Sequence, residues 1–210
     1  MHIMIDLETL GVDVATAPII QIGAAAFELH GDGPVDVEHF RIHVDPKSCL
    51  RQPFNREINP DTVAWWAETD PELLVEIMRS RSKDIATALA ELALWFIRLD
   101  DGIEGVWSNG ACFDIVMLEA YYKQAGIRAP WHFRSVRDVR TMAMIAGDHQ
   151  PCWSAGTITD IERDGQKHDA LVDCLRQIRM VQQTWQRRIR TEEIGAPVRE
   201  VAGPLGQDAG

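Results

Sequence analysis

The alternation of apolar and polar residues predicts three short strands at the start of the chain. Residues 2–7 form an apolar run that is too brief for a helix, and residues 17–29 (APIIQIGAAAFEL) predict a second buried strand. The turn signal GDGP follows at 31–34, and the alternation over residues 35–44 predicts a third strand. We therefore expect residues 1–44 to form an antiparallel meander.

Helical periodicity dominates the rest of the chain. Residues 45–62 carry three prolines and are expected to form a loop. The helix predicted over residues 82–99 can be capped by Ser82, and its apolar positions recur with helical spacing. The other predicted elements are one or two short helices over 62–78, a strand over 104–110, a helix over 111–126 that ends at Gly126, a strand over 132–138, a helix over 138–147, an irregular loop over 147–167 and a last helix from about 170 to 190.

The order of these elements predicts an α/β fold. We expect a mixed five-stranded sheet, with three antiparallel strands followed by parallel ones, and helices on its faces. Residues 1–190 are predicted to form a single domain of ordinary size. Residues 191–210 are expected to form a loose C-terminal tail, because their composition turns to Gly, Pro, Ala and charged residues.

Composition is that of a soluble globular protein, with 46% hydrophobic and 25% charged residues. The sequence shows neither a basic leader with an apolar stretch nor an apolar run long enough to span a membrane, so no membrane partner is expected. The four cysteines are scattered without a C-x-x-C pair, which favours free thiols in a reducing compartment. We therefore predict a cytoplasmic protein, and the sequence leaves a homo-oligomer open.

The net charge of −11 argues against a nucleic-acid partner, but the charges are unevenly distributed. Residues 175–190 contain five arginines and no acid. On a helix, four of these arginines would form a stripe about 80° wide, although a solvated basic face explains that stripe equally simply. A second cluster supports a locally basic surface. The stripe consists of Arg176, Arg179, Arg187 and Arg190, and the cluster of Arg128, Arg134, Arg137 and Arg140.

Two acids mark the end of the first predicted strand. Asp6 and Glu8 are two residues apart, so their side chains lie on the same face of a strand. Adjacent carboxylates repel each other unless a positive charge lies between them. The acid-x-acid pattern occurs six times in the chain, however, so this pair alone does not distinguish a metal site from a solvated strand end.

Acids also open two of the predicted helices. Asp114 lies in the first turn of a helix that follows a buried strand, where an acid can simply complement the helix dipole. Asp169 can cap the last helix, with His168 just before it and Asp173 one turn inside. Strand ends and helix starts form the crevice of open α/β sheets, and four carboxylates there require cations. Oxygen ligands select Mg²⁺ or Mn²⁺.

The segments DLET, NGACFD and HDALVD resemble the three motifs of the DEDDh family of 3′–5′ exonucleases, which have an RNase H-like fold. The resemblance spans about residues 3–183, and DTVAWW and RDVRTM are similar to the small phage and bacterial branch related to exodeoxyribonuclease VIII. It implies four metal-binding acids and a general base, which are Asp6, Glu8, Asp114, Asp173 and His168. Leu10 and Gln21 depart from the residues that many members have there.

The resemblance implies a metal-dependent 3′–5′ exonuclease that releases nucleoside 5′-monophosphates from single-stranded nucleic acid, with DNA slightly favoured over RNA. Two ions, Mg²⁺ or Mn²⁺, would act together. Asp6 is expected to bridge both ions because it lies innermost. Glu8 and Asp173 would hold the ion that carries the attacking water, and Asp114 would serve the second ion.

The resemblance also places substrate contacts just after the first acid pair, at Thr9 and Leu10. Trp65 and Trp66 can stack on bases, and we expect Trp66 to do so, although burial in the core is an equal alternative for either. Trp107 and Trp153 are expected to serve packing. Three other functions remain open: an exoribonuclease that trims RNA 3′ ends, another metal-dependent hydrolase, and a non-catalytic nucleic-acid-binding module.

Overall fold

Five strands form one mixed sheet in the computed structural model, which describes residues 1–31, 39–99, 102–145 and 168–193. The strands are β1 (His2–Thr9), β2 (Ile19–Phe27), β3 (His39–His43), β4 (Gly105–Ser108) and β5 (Val136–Asp138). Their order is β3-β2-β1-β4-β5. The pairs β1–β2 and β2–β3 are antiparallel, whereas β1–β4 and β4–β5 are parallel. This arrangement confirms the predicted sheet.

Helices cover the sheet. They are α1 (Pro46–Cys49), α2 (Pro60–Thr69), α3 (Pro71–Arg79), α4 (Ile85–Arg98), α5 (Asp114–Gln124), a 3₁₀ turn (Phe133–Ser135), α6 (Val139–Ile145) and α7 (Ala170–Glu193). Residues 62–78, for which one or two helices were predicted, therefore belong to two helices. The predicted end at Gly126 is confirmed, because α5 stops at Gln124 and Gly126 has a left-handed φ of 69°.

Four predicted details are wrong. The strand predicted over 132–138 covers only Val136–Asp138, because Phe133–Ser135 form a 3₁₀ turn. Helix α1 lies within the predicted loop, where the side chain of Asp45 accepts a hydrogen bond from the backbone of Lys47. Asp84, not Ser82, caps α4 by accepting a hydrogen bond from the backbone of Ala86. Helix α7 continues past its predicted end, as far as Glu193. The predicted loop at 147–167 and most of the predicted tail lie outside the described residues.

Strand β1 is the central strand and separates two apolar clusters. Ile3, Ile5 and Leu7 belong to the larger cluster, on the side of α4 and α5. Met4 belongs to the smaller cluster, together with apolar residues of α7 such as Ile178. Because strand side chains alternate, Asp6 and Glu8 share the Met4 face. The two acids therefore lie on the side of β1 that α7 covers.

Gly23 fixes how closely α7 approaches the sheet. A Cβ atom at this position of β2 would clash with the backbone of Ala170, the first residue of α7. Only glycine accommodates that close approach. The contact places the start of α7, and with it His168 and Asp173, beside the end of β1.

Among the helices of the described residues, none has the length and apolar character of a membrane-spanning segment.

Candidate active site

Four carboxylates converge at one edge of the sheet. Asp6 and Glu8 come from the end of β1, whereas Asp114 and Asp173 come from the first turns of α5 and α7. Burial, followed by the charges of Asp114 and Asp173, raises the pKa of Asp6 well above its ordinary value. Burial and the charge of Asp6 do the same to the pKa of Glu8. The acids predicted from the motifs therefore share one electrostatic site.

The other two acids have raised pKa values as well. Burial raises the pKa of Asp114 from 3.8 to about 6, although a hydrogen bond from Ser108 opposes the shift. Burial also raises the pKa of Asp173, against the opposing effect of Arg176. All four groups therefore resist ionisation without a balancing charge.

This cluster has the chemistry of a cation site. Ligand atoms of Glu8, His168 and Asp173 all lie within 4.8 Å of one another. The four carboxylates provide hard oxygen ligands, and a bound divalent cation would relieve the repulsion that their pKa values report. The residues present therefore fit a divalent metal ion.

Side chains donate hydrogen bonds to three of the acids. Ser108 Oγ donates to Asp114 Oδ2 at 2.6 Å, and Arg176 Nη1 donates to Asp173 Oδ1 at 2.8 Å. Gln177 Nε2 donates to Asp6 Oδ1 at 2.8 Å. The motifs did not identify Ser108 or Gln177 as site residues. Their signal in the sequence is positional, since one ends the strand before Asp114 and the other lies one helical turn after Asp173.

His168 lies just before α7 with a left-handed φ of 71°. The ring centroid of His168 lies 5.1 Å from that of Trp65 and 6.0 Å from that of Trp66, and both tryptophan rings meet the imidazole at steep angles. The next residue, Asp169, caps α7 by accepting hydrogen bonds from the backbones of Leu171 and Val172, as predicted. The histidine is therefore placed by the cap of α7 and by two aromatic rings.

Gln21 fastens the start of α7 to β2. Its Oε1 accepts a hydrogen bond from the backbone N–H of Ala170 at 2.7 Å, and its Nε2 donates to Asp169 Oδ2 at 2.9 Å. Arg41 Nη1 reaches the same Asp169 oxygen at 3.1 Å. Gln21 thus uses both ends of its amide, whereas a glutamate would place a second carboxylate against Asp169.

The predicted substrate residues lie next to the acids, but one of them is wrong in detail. Thr9 and Leu10 are buried, and Thr9 Oγ1 donates to the carbonyl of Gly11. Trp66 is only 1% exposed, and its indole N–H donates to the Thr9 carbonyl at 3.0 Å. Its ring lies in the core and has no free face for a base. Trp65 is 44% exposed and presents the aromatic surface instead.

The basic residues divide between the site and the surface. Arg176 of the predicted stripe turns back to Asp173, and Arg140 Nε lies 3.4 Å from the side-chain oxygen of Asn109, near the start of α5. Arg137, which belongs to the second cluster together with Arg140, donates instead to the carbonyl of Arg134. The side chain of Arg190 and the predicted packing residue Trp153 lie outside the described residues. Trp107 is buried, in agreement with its predicted packing role.

A family model described as the 3′–5′ exoribonuclease Rv2179c-like domain matches residues 1–185. None of the curated proteins is significantly similar to this chain. No comparison bears on the predicted branch related to exodeoxyribonuclease VIII, so this placement stays a prediction.

Solved structures share the fold at low sequence identity. Exonuclease I of E. coli, in complex with a dT13 oligonucleotide, has a TM-score of 0.62 and 15% identity over 92% of this chain and 42% of its own. The nuclease domain of 3′hExo, a DEDDh family member bound to rAMP, has a TM-score of 0.50 and 13% identity over 92% of both chains. Cell-death related nuclease 4 has a TM-score of 0.57 and 17% identity over 92% of this chain and 64% of its own. This chain spans less than half of exonuclease I, and these likenesses confirm the predicted RNase H-like fold.

Proposed function

The chain belongs to the family of Rv2179c-like 3′–5′ exoribonuclease domains, and we propose on this premise that it is a metal-dependent 3′–5′ exonuclease. Its reaction would be hydrolysis of the last phosphodiester bond of a single strand, which releases a nucleoside 5′-monophosphate. The observation that carries this proposal is the convergence of four carboxylates and one imidazole at the end of β1. A binding module without catalysis would need neither a cluster of carboxylates that repel one another nor a histidine beside it.

Asp6, Glu8, Asp114 and Asp173 would hold two Mg²⁺ or Mn²⁺ ions. Such ions neutralise the negative charge on the phosphate and make water a stronger nucleophile. Asp6 suits a shared ligand, since its carboxylate feels the charges of both Asp114 and Asp173. Glu8 and Asp173 would hold the ion on the side of the attacking water, because an oxygen of each lies within 4.8 Å of a ring nitrogen of His168.

His168 would accept the proton from the attacking water. Imidazole is the side chain best suited to this step near neutral pH. The Asp169 cap holds one side of the residue, and the rings of Trp65 and Trp66 hold the other. This support would keep the histidine in place over Glu8 and Asp173 and reduce the reorganisation needed for proton transfer.

The 3′-terminal nucleotide would lie against the residues that follow β1. Thr9 and Leu10 follow the acid pair there with buried side chains, and the exposed ring of Trp65 beside His168 offers a surface for base stacking. Trp66 would act indirectly, since it packs beneath this position and holds the Thr9 carbonyl.

Two nucleic acids are candidate substrates. The description of the family favours RNA over the DNA preference expected from the sequence, so we propose RNA 3′ ends as the first substrate. Single-stranded DNA is the second candidate, because exonuclease I with a DNA oligonucleotide is among the structures with this fold.

A gel time course tests the activity. Matched 5′-labelled single-stranded RNA and DNA are incubated with Mn²⁺, Mg²⁺ or a chelator. We expect a ladder that shortens from the 3′ end only when metal is present, with RNA degraded faster. Asp6→Asn should abolish the ladder, whereas Glu72→Gln, which changes an exposed acid of another acid-x-acid pair, should leave it intact. No shortening of either strand with either metal would overturn the proposal.

A further inference from the structure

Gln177 is a buried polar residue among apolar neighbours of α7. It lies on α7 with 2% of its surface exposed, next to Ile178 and one turn after Asp173. Its buried apolar neighbours on α7 are Cys174, Leu175, Ile178 and Val181. An amide among these residues needs a reason other than packing.

The amide makes one hydrogen bond and leaves its other end unsatisfied. Nε2 donates to Asp6 Oδ1 at 2.8 Å, while the buried Oε1 has no hydrogen-bond partner in the described part of the chain. Exchanging the two ends would place Oε1 against a carboxylate oxygen, so only the observed orientation is favourable. A buried acceptor without a partner lowers stability, and a leucine or methionine would avoid that loss.

The contact with Asp6 accounts for this unfavourable arrangement. Asp6 is the innermost acid of the cluster, and burial and two neighbouring acids oppose its charge. A neutral N–H donor can fix one carboxylate oxygen of Asp6 without bringing a cation that competes with a metal ion. An arginine here would bring that competing charge, and a glutamate would add a further repulsive carboxylate.

We propose that Gln177 is a positioning residue of the metal site, which holds the Asp6 carboxylate in its metal-binding orientation. The inference rests on the proposed function, since it requires that Asp6 binds the ions. Partners that orient a metal ligand typically account for about 10- to 100-fold in metal affinity when they are removed. Gln177 reaches Asp6 from a neighbouring helix, so it ties the geometry of β1 to that of α7.

Calorimetric titration of the metal-free protein with Mn²⁺ tests this inference. Gln177→Met removes the amide at similar volume, and Gln177→Leu is a second variant in case methionine packs poorly. The control is Gln182→Met, a buried glutamine of the same helix whose Nε2 donates to the carbonyl of Glu28. We expect Mn²⁺ to bind about 10- to 100-fold more weakly to both Gln177 variants, with no change in the control.

Two further readouts distinguish positioning from a merely structural role. The thermal midpoint of metal-free Gln177→Met should stay close to that of the wild type, because loss of the hydrogen bond to Asp6 offsets removal of the unsatisfied acceptor. Its kcat at low Mn²⁺ should fall and recover as Mn²⁺ is raised, with KM for the nucleic acid unchanged. Wild-type Mn²⁺ affinity in both Gln177 variants, or equal losses in the control, would overturn the role of Gln177. A wild-type protein that binds no Mn²⁺ would instead overturn the metal site and the inference with it.

Discussion

The two faces of β1 show how one strand serves both stability and chemistry. On the side of α4 and α5, Ile3, Ile5 and Leu7 are buried among apolar residues. On the side of α7, Met4 is equally buried, but Asp6 and Glu8 follow it with raised pKa values. The first face contributes packing along the whole strand. On the second face, carboxylates repel one another towards the end of the strand, where α5 and α7 begin.

The largest expected effect is a loss of hydrolysis when the acid face of β1 is changed, and a change on its apolar face is the comparison. Asp6→Asn should reduce hydrolysis about 1,000-fold or more, because the shared metal ligand loses its charge. The metal-free variant should remain folded and gain stability, since a carboxylate whose pKa is raised by burial and by like charges is removed. Ile5→Val on the opposite face should lower stability by about 1 kcal/mol and leave kcat unchanged. Single-turnover hydrolysis and urea unfolding of both variants check this, and equal activity losses would contradict it.

The second-largest expected effect is a loss of rate when the contact between β2 and α7 is changed. Gly23→Ala places a methyl group against the backbone of Ala170 and should displace the start of α7. A displacement of about 1 Å at catalytic groups can cost about 100-fold in rate. Gly102→Ala is the matched control, because a Cβ atom at position 102 meets no atom within 4 Å. Wild-type kcat in Gly23→Ala would show that this close approach does not place the site.

A smaller effect is the pH dependence of stability without metal. The unfolded chain loses the Asp114 proton near pH 3.8, whereas the folded protein keeps it up to about 6. The stabilising contribution of protonated Asp114 is therefore complete below pH 3.8 and lost as the pH rises through 6, on the order of 3 kcal/mol. Urea unfolding in chelator between pH 4.5 and 8 should show the wild type losing stability relative to Asp114→Asn. A wild type that gains stability relative to that variant over this range would contradict the pKa direction.

The smallest expected effect is a rise in KM when the proposed stacking surface for the substrate is removed. Trp65→Ala should raise KM about tenfold, because one stacking surface for a base is lost. Trp65 is 44% exposed, and Phe133 is 70% exposed at the start of the 3₁₀ turn that precedes β5, away from the carboxyl ends of the parallel strands. Phe133→Ala should therefore leave KM unchanged. Steady-state kinetics on a single-stranded oligonucleotide decide between these outcomes, and equal KM values in all three proteins would exclude stacking by Trp65.

Much of the sheet could be predicted because its signals are local. The strand alternation and the spacing of the acid motifs can both be identified without knowledge of tertiary contacts. The structure brings ligand atoms of Glu8, His168 and Asp173 within 4.8 Å of one another, and burial and the charges of Asp6 and Asp114 raise the pKa of Glu8. Membership of a 3′–5′ exonuclease family, predicted from these motifs, is confirmed by the family model.

The misses have a common physical cause. Trp65 and Trp66 are about 100° apart on a helix, and the docking of α2 alone decides which ring enters the core. Ser82 and Asp84 are both good caps, so the sequence does not choose between them. Gln177 looks like an ordinary helix residue until β1 places a carboxylate opposite its amide. The tryptophans and Gln177 depend on how two elements meet, which local patterns do not specify.

Anomalous diffraction from crystals grown with Mn²⁺ and a nucleoside 5′-monophosphate tests the central claim most directly. The claim is that the acids at the end of β1 bind the ions that the reaction uses. We predict anomalous peaks among Asp6, Glu8, Asp114 and Asp173, with His168 facing the phosphate of the nucleotide. Crystals with Mn²⁺ bound elsewhere, and these four carboxylates free of metal, would contradict the account.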